Sequence, residues 1–241
     1  MPSLGFVQQL AIGAMMTVKV AVCAYLLALV IGTAFALATL RPRLATRLVW
    51  RAYASIFTGV PSLLVAFLFY YAGPGMVNSL LAPFGLEVTI EVTPFMAAVT
   101  ALGMVYGAYL ADLIRAAIQN VPRGQFEAAQ VLLVGRPAIW LHVILPQVLR
   151  LALPGMTNTW IVVLKDTALV SLIGLKEIMA YAKLASGVTK EPFVYFMLAS
   201  LFFLGMTWLT YVVAGRIESN AGRGVRAVPG AAPGKEKADA L

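Results

Sequence analysis

The run Val20 to Leu40, VAVCAYLLALVIGTAFALATL, decides the fold class, because it carries no charge from end to end. At 1.5 Å of rise per residue, about 20 apolar residues in a helix cross the roughly 30 Å hydrocarbon core of a bilayer. Working outward, Ala52 to Tyr71, Pro94 to Ala111 and Phe193 to Gly215 are further uncharged blocks, Pro94 to Ala111 being slightly short. Hydrophobic residues make up 61% of the 241-residue chain and charged residues 12%. An ordinary soluble domain holds about a quarter charged residues. These blocks exclude a soluble globular domain and predict an all-α membrane protein. The segment Met1 to Leu10 has no Lys or Arg, whereas a secretory signal begins with a basic region. The first block is therefore expected to stay as a helix.

The net charge of +8 invites a nucleic-acid reading, but the basic residues flank the apolar blocks and form no continuous stripe. In a membrane protein that distribution reports orientation, and no nucleic-acid partner is called for. Arg41, Arg43, Arg47 and Arg51 follow the first block. Arg115, Arg123, Arg136 and Arg150 surround a long polar connection, and Arg216, Arg223, Arg226, Lys235 and Lys237 follow the last block. The connection Ala72 to Thr93 has only Glu87 and Glu91, and Gly174 to Pro192 has Lys176, Lys183 and Lys190. Thirteen basic residues thus fall on one side and three on the other, with Lys19 and Lys165 left in the membrane. The rich side is predicted to be cytoplasmic.

That assignment requires an odd number of spans, so a further one must lie in Leu151 to Ile173. It carries Asn158, Lys165, Asp166 and Thr167, with Pro154 near its start. Charges at that depth face a bundle interior or a wet cavity. The prediction is about five transmembrane helices, N-terminus periplasmic and C-terminus cytoplasmic. Residues 1–218 are read as one membrane domain without internal repeats. Residues 219–241, rich in small, Pro, Gly and charged types, are read as a disordered cytoplasmic tail.

The connection 119–150 carries the most specific signal. Its core reads NVPRGQFEAAQVLLVGRPAIWLHVILPQVLR from Asn120 to Arg150. Pro122 and Gly124 mark a turn. Gln125 to Val134 then reads as a helix with Glu127 in its first turn, complementing the helix dipole. Ala128 and Ala129 offer a small-residue surface for another protein. Arg136-Pro137 is expected to end that helix, since Pro lacks an amide hydrogen and disfavours helical geometry before it. A second amphipathic segment runs to Leu145 and meets Pro146.

These residues resemble the importer-type ABC permeases, whose cytoplasmic loop reads EAA, then Gly after three residues, then aliphatic–x–Leu–Pro. Here Glu127-Ala128-Ala129 precede Val143-Ile144-Leu145-Pro146 at the matching distance. The resemblance implies a coupling helix that docks on an ATPase subunit. The family's Gly position is Leu133, with Gly135 two residues later: either the bend moves to Gly135-Arg136-Pro137 or the docking surface differs.

The resemblance extends from about Val7 to Ile217 and points to the polar amino acid branch. Thr58-Gly59-Val60-Pro61, Tyr106-Gly107-Ala108-Tyr109 and Leu164-Lys165-Asp166-Thr167 carry it. The last run is similar to Q-type permeases of histidine/lysine/arginine/ornithine uptake and their opine-transporting relatives. By that likeness the chain translocates polar, basic amino acids or opines. Its implied partners are a second homologous permease subunit, two ATP-binding-cassette ATPase subunits and a periplasmic amino acid-binding protein, in a bacterial inner membrane.

Asp112, Asn158, Lys165 and Asp166 are candidates for a substrate path or a subunit interface. Asp112 lies three residues before Arg115, so a helical ion pair is the leading expectation for it. Lys165 and Asp166, being adjacent, point in different directions and are expected to secure an interface or orient the span. No GxxxxGK[ST] phosphate loop occurs, since GAAPGK at Gly230 to Lys235 is followed by Glu236. No nucleophile–base set appears, the single Cys23 and single His142 form no metal cluster, and no cofactor is implied. An enzyme is not expected. An ion-coupled secondary transporter fits the hydropathy equally well, and the EAA loop is the feature that argues against it.

Overall fold

The computed structural model describes residues 2–40, 43–84 and 91–222. Its helices are α1 (Pro2–Leu40), α2 (Leu44–Gly59), α3 (Ser62–Phe67), α4 (Gly73–Leu81) and α5 (Pro94–Gln119), followed by α6 (Arg123–Val131), α7 (Arg136–Ala138), α8 (Leu145–Asp166), α9 (Ile178–Thr189) and α10 (Pro192–Gly222). Wide π-type turns at Leu68–Ala72 and Ile139–Ile144 join α3 to α4 and α7 to α8, and a tight 3-10 stretch, Thr167–Ile173, follows α8.

Among the described residues, four helical runs are long and apolar enough to cross a bilayer: Gly5–Leu40, Pro94–Gln119, Arg136–Ile173 and Pro192–Ser219. The pair Leu44–Gly59 and Ser62–Ser79, bent by 105°, makes a fifth when the two are counted as one broken span. The block Ala52 to Tyr71 is therefore not one straight helix. It breaks at Val60, whose extended backbone (φ −106°, ψ 132°) is the geometry that a following proline favours. At 39 residues and about 58 Å, α1 reaches well beyond the block Val20 to Leu40. Its extra N-terminal turns pack on α9 and α10, with Leu10 against Ile178, Ala182 and Tyr195.

The centre of the bundle is the seam between α1 and α5. Small residues recur every fourth position on α1, at Ala24, Ala28, Gly32 and Ala36, and they face Gly103, Gly107 and Ala111 on α5. Lipid tails are as apolar as leucine, so helices in a bilayer associate through close packing, and small residues permit it. Leu27 and Ile31 fill the space left by Gly103 and Gly107. Phe35 stacks on Tyr53 of α2 with centroids 4.6 Å apart, tying α2 to the same core.

Two prolines act otherwise than their sequence context predicts. Pro137 starts α7 rather than ending α6, since a ring without an amide hydrogen is tolerated in a helix's first turn. Pro146 likewise lies in the first turn of α8, so the second loop segment runs on into the membrane helix. At the far end, α10 continues to Gly222, past the expected start of the tail at residue 219. Residues 223–241 of that tail lie outside the described residues.

Candidate functional site

The break between α2 and α3 opens a cavity of about 590 Å³. Thr58 to Ser62 form one wall, Val105, Tyr106 and Tyr109 of α5 a second, and Asn158, Thr159, Val162 and Asp166 of α8 the third. Asn158, Val162 and Asp166 recur every fourth residue and so share a helix face. Asp166 accepts hydrogen bonds from Ser62 Oγ at 2.8 Å and Tyr106 Oη at 2.6 Å. Both donors bond the same oxygen, Oδ2, and among the described residues no side chain donates to Oδ1. A carboxylate fixed by two hydroxyls, beside an amide and two phenol rings, is chemically suited to an ammonium or guanidinium group. Most of the rest of the wall is apolar, as in sites where a few polar groups orient a small molecule.

Of the four candidates inside the membrane, the structure brings Asn158 and Asp166 together. Lys165 turns the other way, into a separate cavity of about 380 Å³ against Ser200, Phe203 and Thr207 of α10. Asp112 lies outside both cavities and pairs with Arg115, as its spacing predicts. The Arg115 guanidinium also lies 5.3 Å from the centre of the Trp50 ring, a cation–π contact joining α5 to α2.

On the loop, Glu127 and Ala128 of α6 are exposed, but Ala129 is buried against the small cluster that includes Ile139, Ile144 and Val148. Only half of the expected small-residue surface faces outward. The bend of the loop stays at Leu133: this leucine has φ 55°, while Gly135 has an ordinary φ of −61°. Val134 N–H donates to Ala129 O at 3.2 Å and Leu133 N–H to Gln130 O at 3.0 Å. That pair of bonds defines a helix C-terminal turn whose left-handed residue is usually glycine. Here a leucine takes it, at a strain of about 1–2 kcal/mol. No added side chain atom at Gly124 or Gly135 would meet anything within 4 Å, so neither glycine is required by a close approach. Leu145 is partly exposed at the start of α8, next to Pro146.

Residues 24–220 match the family model described as binding-protein-dependent transport system inner membrane component. The chain belongs to this family. The permease is 39% identical to the nopaline transport system permease protein NocQ of Agrobacterium fabrum, over 92% of this chain and 94% of that one. It is 35% identical to the arginine ABC transporter permease protein ArtQ of Escherichia coli, over 89% and 95%. Its fold matches the crystal structure of an amino acid ABC transporter with histidines at a TM-score of 0.76 and 28% identity, over 91% of this chain and 97% of that one. It is thus an inner-membrane permease subunit of an ATP-binding-cassette importer.

Two residues of the permease carry weight that the sequence did not signal. Ser62 holds Asp166 from 104 positions away. Glu177, read from sequence as part of an external connection, is fully buried. It caps α9 by accepting from Ala180 N–H at 2.9 Å, and it faces Thr17 Oγ1 of α1 at 3.3 Å. Burial pushes its carboxyl up to about 7, opposed by its hydrogen bonds with the backbone and Thr17. A raised carboxyl adds stability that is complete below its unfolded value near 4.5 and is lost as pH rises through about 7. Glu177→Gln keeps the neutral form at every pH. The variant is expected to melt at a constant temperature between about pH 5 and 8.5, and to exceed the parent above pH 7 by on the order of 2–3 kcal/mol. Melting curves of purified protein across that range check this, and a parent protein whose melting does not change with pH refutes it.

Proposed function

We propose that this permease carries a cationic amino acid, or an opine built on one, through the cavity at the α2–α3 break. The supporting observation is Asp166, which lines the cavity and whose carboxylate is oriented by Ser62 and Tyr106 through one oxygen. Asn158 is placed to meet the carboxylate of the cargo, and the Tyr106 and Tyr109 rings its side chain. Relatives named for arginine, nopaline and histidine/lysine/arginine/ornithine transport favour the same class.

The cavity is one wall of a path that needs a second permease subunit opposite. Two ATPase subunits hydrolyse ATP on the cytoplasmic side and move the bundle through the loop at residues 119–150. A periplasmic binding protein delivers the cargo on the other side. The positive-inside distribution sets the N-terminus in the periplasm and the C-terminus in the cytoplasm. In proteoliposomes holding permease, ATPase subunits and binding protein, labelled arginine is expected to accumulate only with ATP inside, competed by lysine and not by glutamate. Accumulation without the ATPase subunits would overturn the assignment of the motor, and uptake competed only by acidic amino acids the assignment of the cargo.

Glu127→Lys reverses a charge on the exposed face of α6. The variant is expected to enter the membrane normally, to lose at least about 90% of uptake and to leave ATP hydrolysis unresponsive to cargo. Uptake equal to the parent's in the same vesicles would remove Glu127 from the coupling surface.

A further inference from the structure

We propose that Leu133 is an apolar knob by which the permease selects its own ATPase subunit, resting on the reading of α6 as the coupling helix. Three observations meet at this residue. Its backbone lies in the left-handed region, where a bulky side chain is a genuine outlier. Its side chain is 93% exposed, and Val131 and Leu132 beside it are 81% and 76% exposed. Gly135, two residues on, has no need of its conformational freedom, so the turn could have been built without strain by exchanging the two residue types.

A strained backbone that presents a bare leucine gains nothing within this chain. It gains where the leucine enters a pocket on another molecule, because the left-handed turn aims the side chain away from α6 before the partner arrives. Local strain of this kind is found at functional contacts, and preorganised apolar anchors are what dominate binding at interfaces. Glu127, Gln130 and Val131 share the exposed face leading up to the turn, which mixes polar and apolar groups as a protein interface does. On the coupling reading, this exposed face is the one that meets the ATPase subunit. The occupant is therefore the ATPase subunit of this importer, offering an apolar pocket at the end of the groove that receives α6. A permease with glycine at this position would leave that pocket empty, and a non-cognate ATPase without the pocket would meet the leucine as an obstruction.

The test uses the full permease with the importer's own ATPase subunits, co-expressed and then reassembled in nanodiscs. Leu133→Gly relieves the backbone and removes the knob, and Leu133→Asn keeps a residue that tolerates the turn while removing the apolar body. Both are expected to weaken ATPase binding by about tenfold while the permease alone melts no lower than the parent, and Leu133→Met to stay within about threefold of the parent. Unchanged affinity in both the Gly and Asn variants overturns the proposal. Glu127→Lys in the same assay separates the two readings. If it weakens binding while Leu133→Gly does not, the helix docks and the knob is wrong; if neither matters, the coupling reading falls with it. An environment-sensitive fluorophore on Leu133→Cys, in a Cys23→Ser background, is expected to report water before the ATPases are added and apolar surroundings after. Apolar emission beforehand puts the tip in the bilayer and overturns the proposal.

Discussion

Asp166→Asn is expected to raise the KM for a cationic cargo by about ten- to a hundredfold while leaving the permease as stable as the parent. The substitution is nearly isosteric. Its amide oxygen can still accept from Ser62 and Tyr106, so the wall keeps its shape and only the charge is removed. A hydrogen bond to a charged group contributes about 1.5–3 kcal/mol, which corresponds to that range in affinity. Uptake kinetics in proteoliposomes measure the effect, and melting temperature controls for folding. A cargo bound by its ammonium or guanidinium at Asp166 loses affinity, whereas a neutral competitor does not. If the Asn variant transports arginine with the parent's KM, the carboxylate serves the packing of α8 and the cavity has another occupant.

The same carboxylate illustrates how far the sequence could be read. Hydropathy located four crossings, because an uncharged block of that length has no other use, and the charges between blocks predicted which connections share a side and so required the further crossing in Leu151 to Ile173. A block does not reveal where it breaks. Ala52 to Tyr71 is uncharged throughout, yet Pro61 divides it, and that bend creates the cavity. Sequence flagged Asp166 through the expense of a charge at depth, and local spacing paired Asp112 with Arg115, since i and i+3 share a helix face. It favoured an interface role for Asp166, or one in orienting the span, because its hydrogen-bond partners, Ser62 and Tyr106, come from two other helices. Periodicity carries no information about such contacts.

The loop at residues 119–150 divides in the same manner. Glu127-Ala128-Ala129 and Leu145-Pro146 were recognisable as a pattern, but the pattern does not say which alanine faces inward or which residue takes the left-handed turn. Both answers depend on the packing of α6 against the π-type turn at Ile139–Ile144. Glu177 was less legible still. One of two carboxylates beside three lysines in a connection reads as solvated, and the approach of α1 at Gly13 and Thr17 buries it.

The seam between α1 and α5 yields the largest expected effect on stability. A Cβ atom on Gly32 would lie 2.8 Å from Leu110 Cβ, 3.1 Å from Ala111 N and 3.2 Å from Gly107 O. Two of these are backbone atoms and cannot turn aside, so even one methyl group forces the helices apart. Overpacking of this size costs about 1–3 kcal/mol. In a bilayer the loss has no hydrophobic compensation, because lipid replaces whatever protein contact is surrendered. Gly32→Ala is accordingly expected to lower stability by that amount, and Gly32→Leu to yield no monodisperse permease after solubilisation. At Gly103 the nearest atoms belong to the Leu27 side chain, which can rotate, so Gly103→Ala should be milder than Gly32→Ala. Gly205 of α10 has nothing within 4 Å of an added Cβ, and Gly205→Ala should be neutral or slightly stabilising, since alanine favours the helix. Thermal melting in one detergent ranks the single-methyl variants. A Gly32→Ala protein that melts with Gly205→Ala would mean that α1 and α5 do not meet through their small residues, and the placement of every wall of the cavity would have to be redrawn with them.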